Sequence, residues 1–77
     1  MKELIEFLAR ELVDDPDAVE VEESFDDRGP RFSLSVAPED MGKVIGRGGR
    51  TAKAIRAVVR AAATRQGTSA YVDIVDR

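Results

Sequence analysis

Gly46, Gly48 and Gly49 fall within four residues and divide a helical pattern in two, so the chain must turn sharply there. Before them, Pro38 suits a first-turn position and Glu39 and Asp40 suit the positive end of a helix, which predicts a short helix from Pro38 to about Ile45. After them, Ala52, Ile55, Val58, Val59 and Ala62 share one arc of a 3.6-residue wheel, which predicts a second helix from about Arg50 to Arg65. Arg50, Lys53, Arg56 and Arg60 fill an adjacent arc, and Gly67 is placed to cap the helix in a left-handed conformation.

The rest of the chain has simpler periods. Leu4, Ile5, Leu8 and Leu12 form an apolar stripe over a helix from Lys2 to Val13, stopped by Asp14-Asp15-Pro16-Asp17. From Ala18 to Phe25 the period becomes two, with Val19, Val21 and Phe25 alternating against Glu20, Glu22 and Ser24. A turn cluster, Asp26-Asp27-Arg28-Gly29-Pro30, leads into Phe32, Leu34 and Val36 alternating with Ser33 and Ser35, so the two runs read as an antiparallel hairpin. A last strand from Thr68 to Val75 sends Ala70, Val72 and Ile74 to one face and Tyr71, Asp73 and Val75 to the other. The order is α-β-β-α-α-β. Two helices separate the last strand from the hairpin, a crossover that makes the two strands parallel neighbours. The expected fold class is α+β, one domain over 1–77, with a three-stranded mixed sheet and helices on one face. Phe7, Phe25 and Phe32 are expected in its core, while Tyr71 is open between a surface and a contact role.

Charge is polarised along the chain. Residues 1–40 hold 13 acidic and 4 basic side chains, whereas residues 41–66 hold seven basic side chains and no acid. A solvated helix face is the ordinary meaning of a charge run, but 26 residues without a compensating acid point to one basic working face on an acidic body. With no Cys and no His, the chain offers no disulfide, no thiolate metal site and none of the commonest general bases, so neither a metal nor another cofactor is expected and an enzyme is disfavoured. Asp14-Asp15-Pro16-Asp17 lacks the glycine and distal glutamate of a calcium loop. A reduced, cytoplasmic setting fits this composition. Met1 leading straight into Lys2-Glu3-Leu4, and apolar runs of only a few residues, give no expectation of a signal peptide or membrane insertion.

The glycine segment carries the chemistry. Gly46 and Gly49 allow backbone to approach a ligand with no Cβ in the way, and the helix that follows aims unpaired N–H groups at the same place. Arg47 lies in the turn, and Arg50 and Lys53 follow it. Such a site suits the sugar-phosphate backbone and holds a strand without reading its bases. Other glycine loops do not fit. A P-loop needs Lys-Ser/Thr after its last glycine and a strand before it, but Gly49 is followed by Arg50-Thr51 and preceded by a helix. The dinucleotide fingerprint, counted from Gly46 and Gly48, needs a glycine where Thr51 stands.

The stretch from Asp40 to Arg56, centred on Ile45-Gly46-Arg47-Gly48-Gly49, resembles the signature of KH domains, and more closely the small bacterial KH proteins of the KhpA family. The whole chain takes part in the resemblance, whose order is that of a type II KH domain. It implies that the GXXG turn, Gly46 to Gly49, clamps about four nucleotides of single-stranded RNA. The implied RNA-binding residues are Lys43, Val44, Ile45, Gly46, Arg47, Gly48, Gly49, Arg50, Thr51, Lys53 and Ala54. Val44, Ile45 and Ala54 are assigned to the groove floor, and the hairpin strand and loop near Arg28 to Arg31 to its far wall. The resemblance further implies a homodimer, a heteromer with a larger KH protein of the KhpB kind, and work as an RNA chaperone or post-transcriptional regulator linked to cell-envelope growth and cell shape. A protein-interaction module that keeps the KH fold is the other reading. Gly48 departs from the basic residue common at such turns and makes this one more flexible, at a cost in ordering. With four aromatic residues in the chain, stacking is expected to be minor.

Overall fold

The computed structural model, which describes residues 1–76, has helix α1 (Lys2–Leu12), strands β1 (Glu20–Asp26) and β2 (Gly29–Ser35), helices α2 (Met41–Ile45) and α3 (Arg50–Arg65), and strand β3 (Tyr71–Ile74). Short 3-10 turns at Pro16–Ala18, Pro38–Asp40 and Arg47–Gly49 join them. The sheet order is β1-β2-β3, with β1 antiparallel and β3 parallel to β2, so the sheet is mixed and the fold is α+β. The parallel pair sets Arg31 beside Tyr71, Phe32 beside Val72 and Leu34 beside Ile74.

The core lies between the sheet and one layer of helices. Phe32, Leu34 and Val36 project into it beside Val19, Val21 and Val72, and meet Ile5 and Ala9 of α1, Val44 of α2 and Ile55 and Val59 of α3. Each large apolar side chain buried there contributes about 1.5–3 kcal/mol. The buried line on α3 is Ala52, Ile55, Val59 and Ala63. Val58, expected in it, is 45% exposed, because its position on the wheel tilts toward α1 and away from the sheet. On α1 the innermost residues are Ile5 and Ala9, one turn apart, and Leu12 is partly exposed.

Of the three phenylalanines expected in the core, only Phe32 is there. Phe7 lies off the Ile5–Ala9 line of α1 and is 60% exposed. Phe25 has the strand parity of Val19 and Val21 yet is 73% exposed. In both hairpin strands burial is confined to the ends away from the turn, so the outer end of the hairpin, where Phe25 pairs with Pro30, has no helix over it. β3 starts later than expected because the residues before it close α3. The Thr68 N–H donates to the Ala63 carbonyl at 2.9 Å and the Gly67 N–H to that of Thr64 at 3.0 Å, with Gly67 at φ 76°, a Schellman cap. No helix among the described residues is long and apolar enough to cross a membrane.

Candidate nucleic-acid interface

α2 ends at Gly46, whose N–H donates to the Gly42 carbonyl at 2.9 Å. The turn then passes through three glycines of positive φ. Gly46 has φ 76° and ψ 168°, a region open to glycine almost alone, while Gly48 (66°, 17°) and Gly49 (77°, 13°) are left-handed. A Cβ on Gly46 would lie within 2.8 Å of the Thr51 backbone nitrogen and press on the Thr51 hydroxyl, whereas one on Gly48 would meet nothing within 4 Å. Thr51, expected to touch RNA, thus packs behind the turn. α3 opens directly after Gly49 with no side chain capping its first N–H groups and no acid in its first turn. The partial positive charge of a 16-residue helix is therefore left open at the turn.

The other expected residues separate by environment. Arg47, Arg50 and Lys53 are exposed and form no ion pair among the described residues. Val44 has no exposed surface, so it supports the groove from beneath and does not floor it, while Ile45 is 38% exposed beside Gly46. Ala54 is exposed, but on the flank of α3 that faces α1. Lys43 is engaged by protein: its Nζ lies 3.3 Å from Asp14 Oδ2 and 3.3 Å from Asp40 Oδ1. Hydrogen bonding to Asp14, then to Asp40, holds its pKa above the ordinary lysine value. Asp40 is only 2% exposed, and its Oδ2 accepts the Asp15 N–H at 3.0 Å. Burial would raise its pKa, but the Asp15 and Asp14 N–H groups and the Lys43 ammonium outweigh burial and keep it below the usual carboxylate value. This cluster pins the loop after α1 to the start of α2.

Among the described residues, α3 has a cleft on each of two flanks. One, of about 310 Å³, lies between α3 and β3 and is bordered by Arg56, Arg60, Thr64, Ser69, Tyr71 and Asp73. Arg56 Nε donates to the Val72 carbonyl at 3.1 Å, and Arg60 makes no ion pair among the described residues. The far wall of this cleft is β3, not the hairpin strand as expected. β2 is the central strand, and β3 covers the edge it would have presented. The hairpin turn only reaches the mouth, where Ser69 Oγ donates to the Arg28 carbonyl at 3.0 Å. Arg56 and Arg60 stood in the basic arc of the wheel but outside the expected RNA-binding set; their spacing of four from each other was the available signal. The second cleft, of about 240 Å³, lies between α1 and α3 and is lined by Leu8, Leu12, Ala54, Ile55 and Val58.

Comparison with known proteins gives a consistent result. The family model for the KH domain of KhpA/KhpB matches residues 2–74. The RNA-binding protein KhpA of Halalkalibacterium halodurans is 55% identical over 76 residues, 99% of this chain and 100% of its own length. That of Clostridium perfringens is 51% identical over 75 residues, 97% of this chain and 100% of its own, and that of Streptomyces coelicolor is 45% identical over 76, 99% and 92%. A crystal structure of Era in complex with MgGDPNP and nucleotides 1506–1542 of 16S ribosomal RNA superposes with a TM-score of 0.64 at 17% identity, over 97% of this chain and 29% of Era. At that identity the likeness establishes the fold.

Proposed function

The chain belongs to the KhpA/KhpB family of KH domains, and from this premise we propose that it binds single-stranded RNA by seating the sugar-phosphate backbone on the Gly46–Gly49 turn. The observation that carries the reading is the open N-terminus of α3, with no acid in its first turn and with Arg47, Arg50 and Lys53 around it in no ion pair among the described residues. Residues 1–77 act as one domain with a binding and not a catalytic role, and RNA as the partner puts that role in the cytoplasm. Regulation of messenger and small RNAs is the kind of work the assignment implies. Lys43 adds little to phosphate binding, since Asp14 and Asp40 already neutralise it.

The test is fluorescence anisotropy of a labelled single-stranded RNA titrated with the protein over a series of salt concentrations. A turn that holds three or four phosphates gives a log–log salt slope of about −2 to −3, each phosphate on a single strand contributing roughly −0.7. No binding at any salt concentration would remove the reading.

A second feature favours self-association. The apolar cleft between α1 and α3 adjoins the exposed Val58 and Leu12, with Phe7 farther round α1. α1 carries Glu3, Glu6 and Glu11, while the far end of α3 carries Arg65. A two-fold pairing that lays α1 of one copy against α3 of the other covers this apolar strip and sets acid against base. We therefore place the homodimer contact on this face, which a KH domain of the KhpB kind would use in turn. Sedimentation equilibrium is expected to give a mass that rises with concentration through the micromolar range and falls to that of one chain in Val58→Glu. A constant single-chain mass for the unmodified protein would count against it.

A further inference from the structure

β1 is an edge strand of seven residues in the sheet order β1-β2-β3. Only Val21 among them is buried, and the other six are exposed. An edge of this length presents a row of backbone N–H and C=O groups to which an extended segment can add as one more strand. Side chains along it alternate between two faces. Glu20, Glu22, Ser24 and Asp26 lie on the face away from the helices, and Val21, Glu23 and Phe25 on the face toward them. Phe25 is 73% exposed because the helix layer stops short of the outer end of the hairpin. It stands as an aromatic shelf beside the edge. The strand holds four carboxylates and no base. Asp26 is engaged by Arg31 at 3.3 Å, whereas Glu22 and Glu23 enter no ion pair among the described residues.

We propose that the β1 edge docks an extended, Lys/Arg-rich segment of another protein, which pairs with the strand backbone and lays an apolar side chain on Phe25. The charge of the edge selects this occupant. A nucleic acid would bring phosphates against the carboxylates and is repelled. A second copy has no suitable strand to offer. Its β1 is equally acidic, its β2 is central in the sheet, and its β3 carries Asp73 and no base. A basic segment meets opposite charge instead, and opposite charges facing each other across strands stabilise a sheet whereas like charges oppose it. The period of two dictates the pattern of the segment. Basic residues at every second position face the side of Glu20 and Glu22, and an apolar residue of the other parity meets Phe25. The inference is independent of the RNA reading, because β1 lies at the opposite edge of the sheet from β3 and the cleft beside it.

The test uses a fluorescein-labelled peptide of about eight residues, alternating lysine and valine, titrated with the full chain and followed by anisotropy in the absence of RNA. A peptide alternating glutamate and valine is expected to bind at least about tenfold more weakly. Strand addition engages the N–H groups of alternate residues only. Of two lysine–valine peptides, one N-methylated at every lysine and the other at every valine, one is therefore expected to lose about tenfold or more and the other to stay near the parent. Backbone amide shifts of the nitrogen-15-labelled protein are expected to concentrate between Glu20 and Asp26. Glu22→Lys combined with Phe25→Ser is expected to weaken the parent peptide about tenfold, with circular dichroism unchanged because both residues are exposed. No binding of the parent peptide, equal affinity for the two methylated peptides, or amide shifts centred outside β1 overturns the proposal, as does an unaltered affinity in the double variant.

Discussion

Replacing Arg47 and Gly48 together with aspartate is expected to weaken RNA binding by a hundredfold or more while the protein stays folded. The change removes a charge-assisted contact, which is worth about 1.5–3 kcal/mol, and puts two carboxylates where a phosphate must approach. A combined loss of roughly 3 kcal/mol or more corresponds to that factor in affinity. The fold should tolerate it, because Arg47 and Gly48 are exposed and a Cβ at Gly48 meets no neighbour. Gly48 is left-handed at φ 66°, a conformation that aspartate accepts better than most residues, at a cost of about 1 kcal/mol. Circular dichroism and the anisotropy titration together decide the matter. A folded double variant that binds RNA as the wild type does would defeat the assignment of the turn.

The three glycines of the turn are not equivalent, and the second large effect follows from that. Gly46→Ala places a side chain at φ 76°, ψ 168°, which costs about 1–3 kcal/mol in backbone strain alone. It also drives a methyl group against Thr51, and such overpacking typically adds about 1–3 kcal/mol. A loss of roughly 3 kcal/mol would take much of the stability of so small a domain. Gly48→Ala meets no such obstacle and should cost about 1 kcal/mol. Urea unfolding of the two variants reads the difference directly. Equal midpoints would show that Gly46 is not held as described.

Periodicity was enough to place α1, α3 and the three strands, because each core-facing stripe depends only on neighbours along the chain. α2 was read instead from Pro38, the two acids after it and the glycines that end it. The parallel pairing of β2 with β3 was legible too, since a two-helix crossover permits little else. Burial was less legible. Phe25 has the correct parity for the core, but parity does not say where the overlying helix layer ends. Phe7 and Val58 were misjudged for the related reason that a wheel gives angles and not the position of the partner. The turn could be read from its glycines, yet the separate task of Gly46 depends on contact with Thr51. Lys43 looked like one more cation of the working face. Its capture by Asp14, almost thirty residues earlier in the chain, is a tertiary fact that no local pattern contains. The wall of the cleft was assigned to the hairpin because which strand takes the sheet edge is set by the fold as a whole.

A three-stranded sheet leaves two free edges, and open edges invite strands of other molecules to add on. β1 bears Glu20, Glu22, Glu23 and Asp26 among its seven residues, so an approaching strand of the same chain would bring like charge against like. β3 is only four residues long, and Arg56 already occupies the Val72 carbonyl. The two edges are thus guarded against aggregation by different means, one by charge and the other by shortness and a tethered side chain. The acidic guard also repels a polyanion. The carboxylates that discourage fibre growth therefore also make the β1 edge the less suitable one for a nucleic acid to approach.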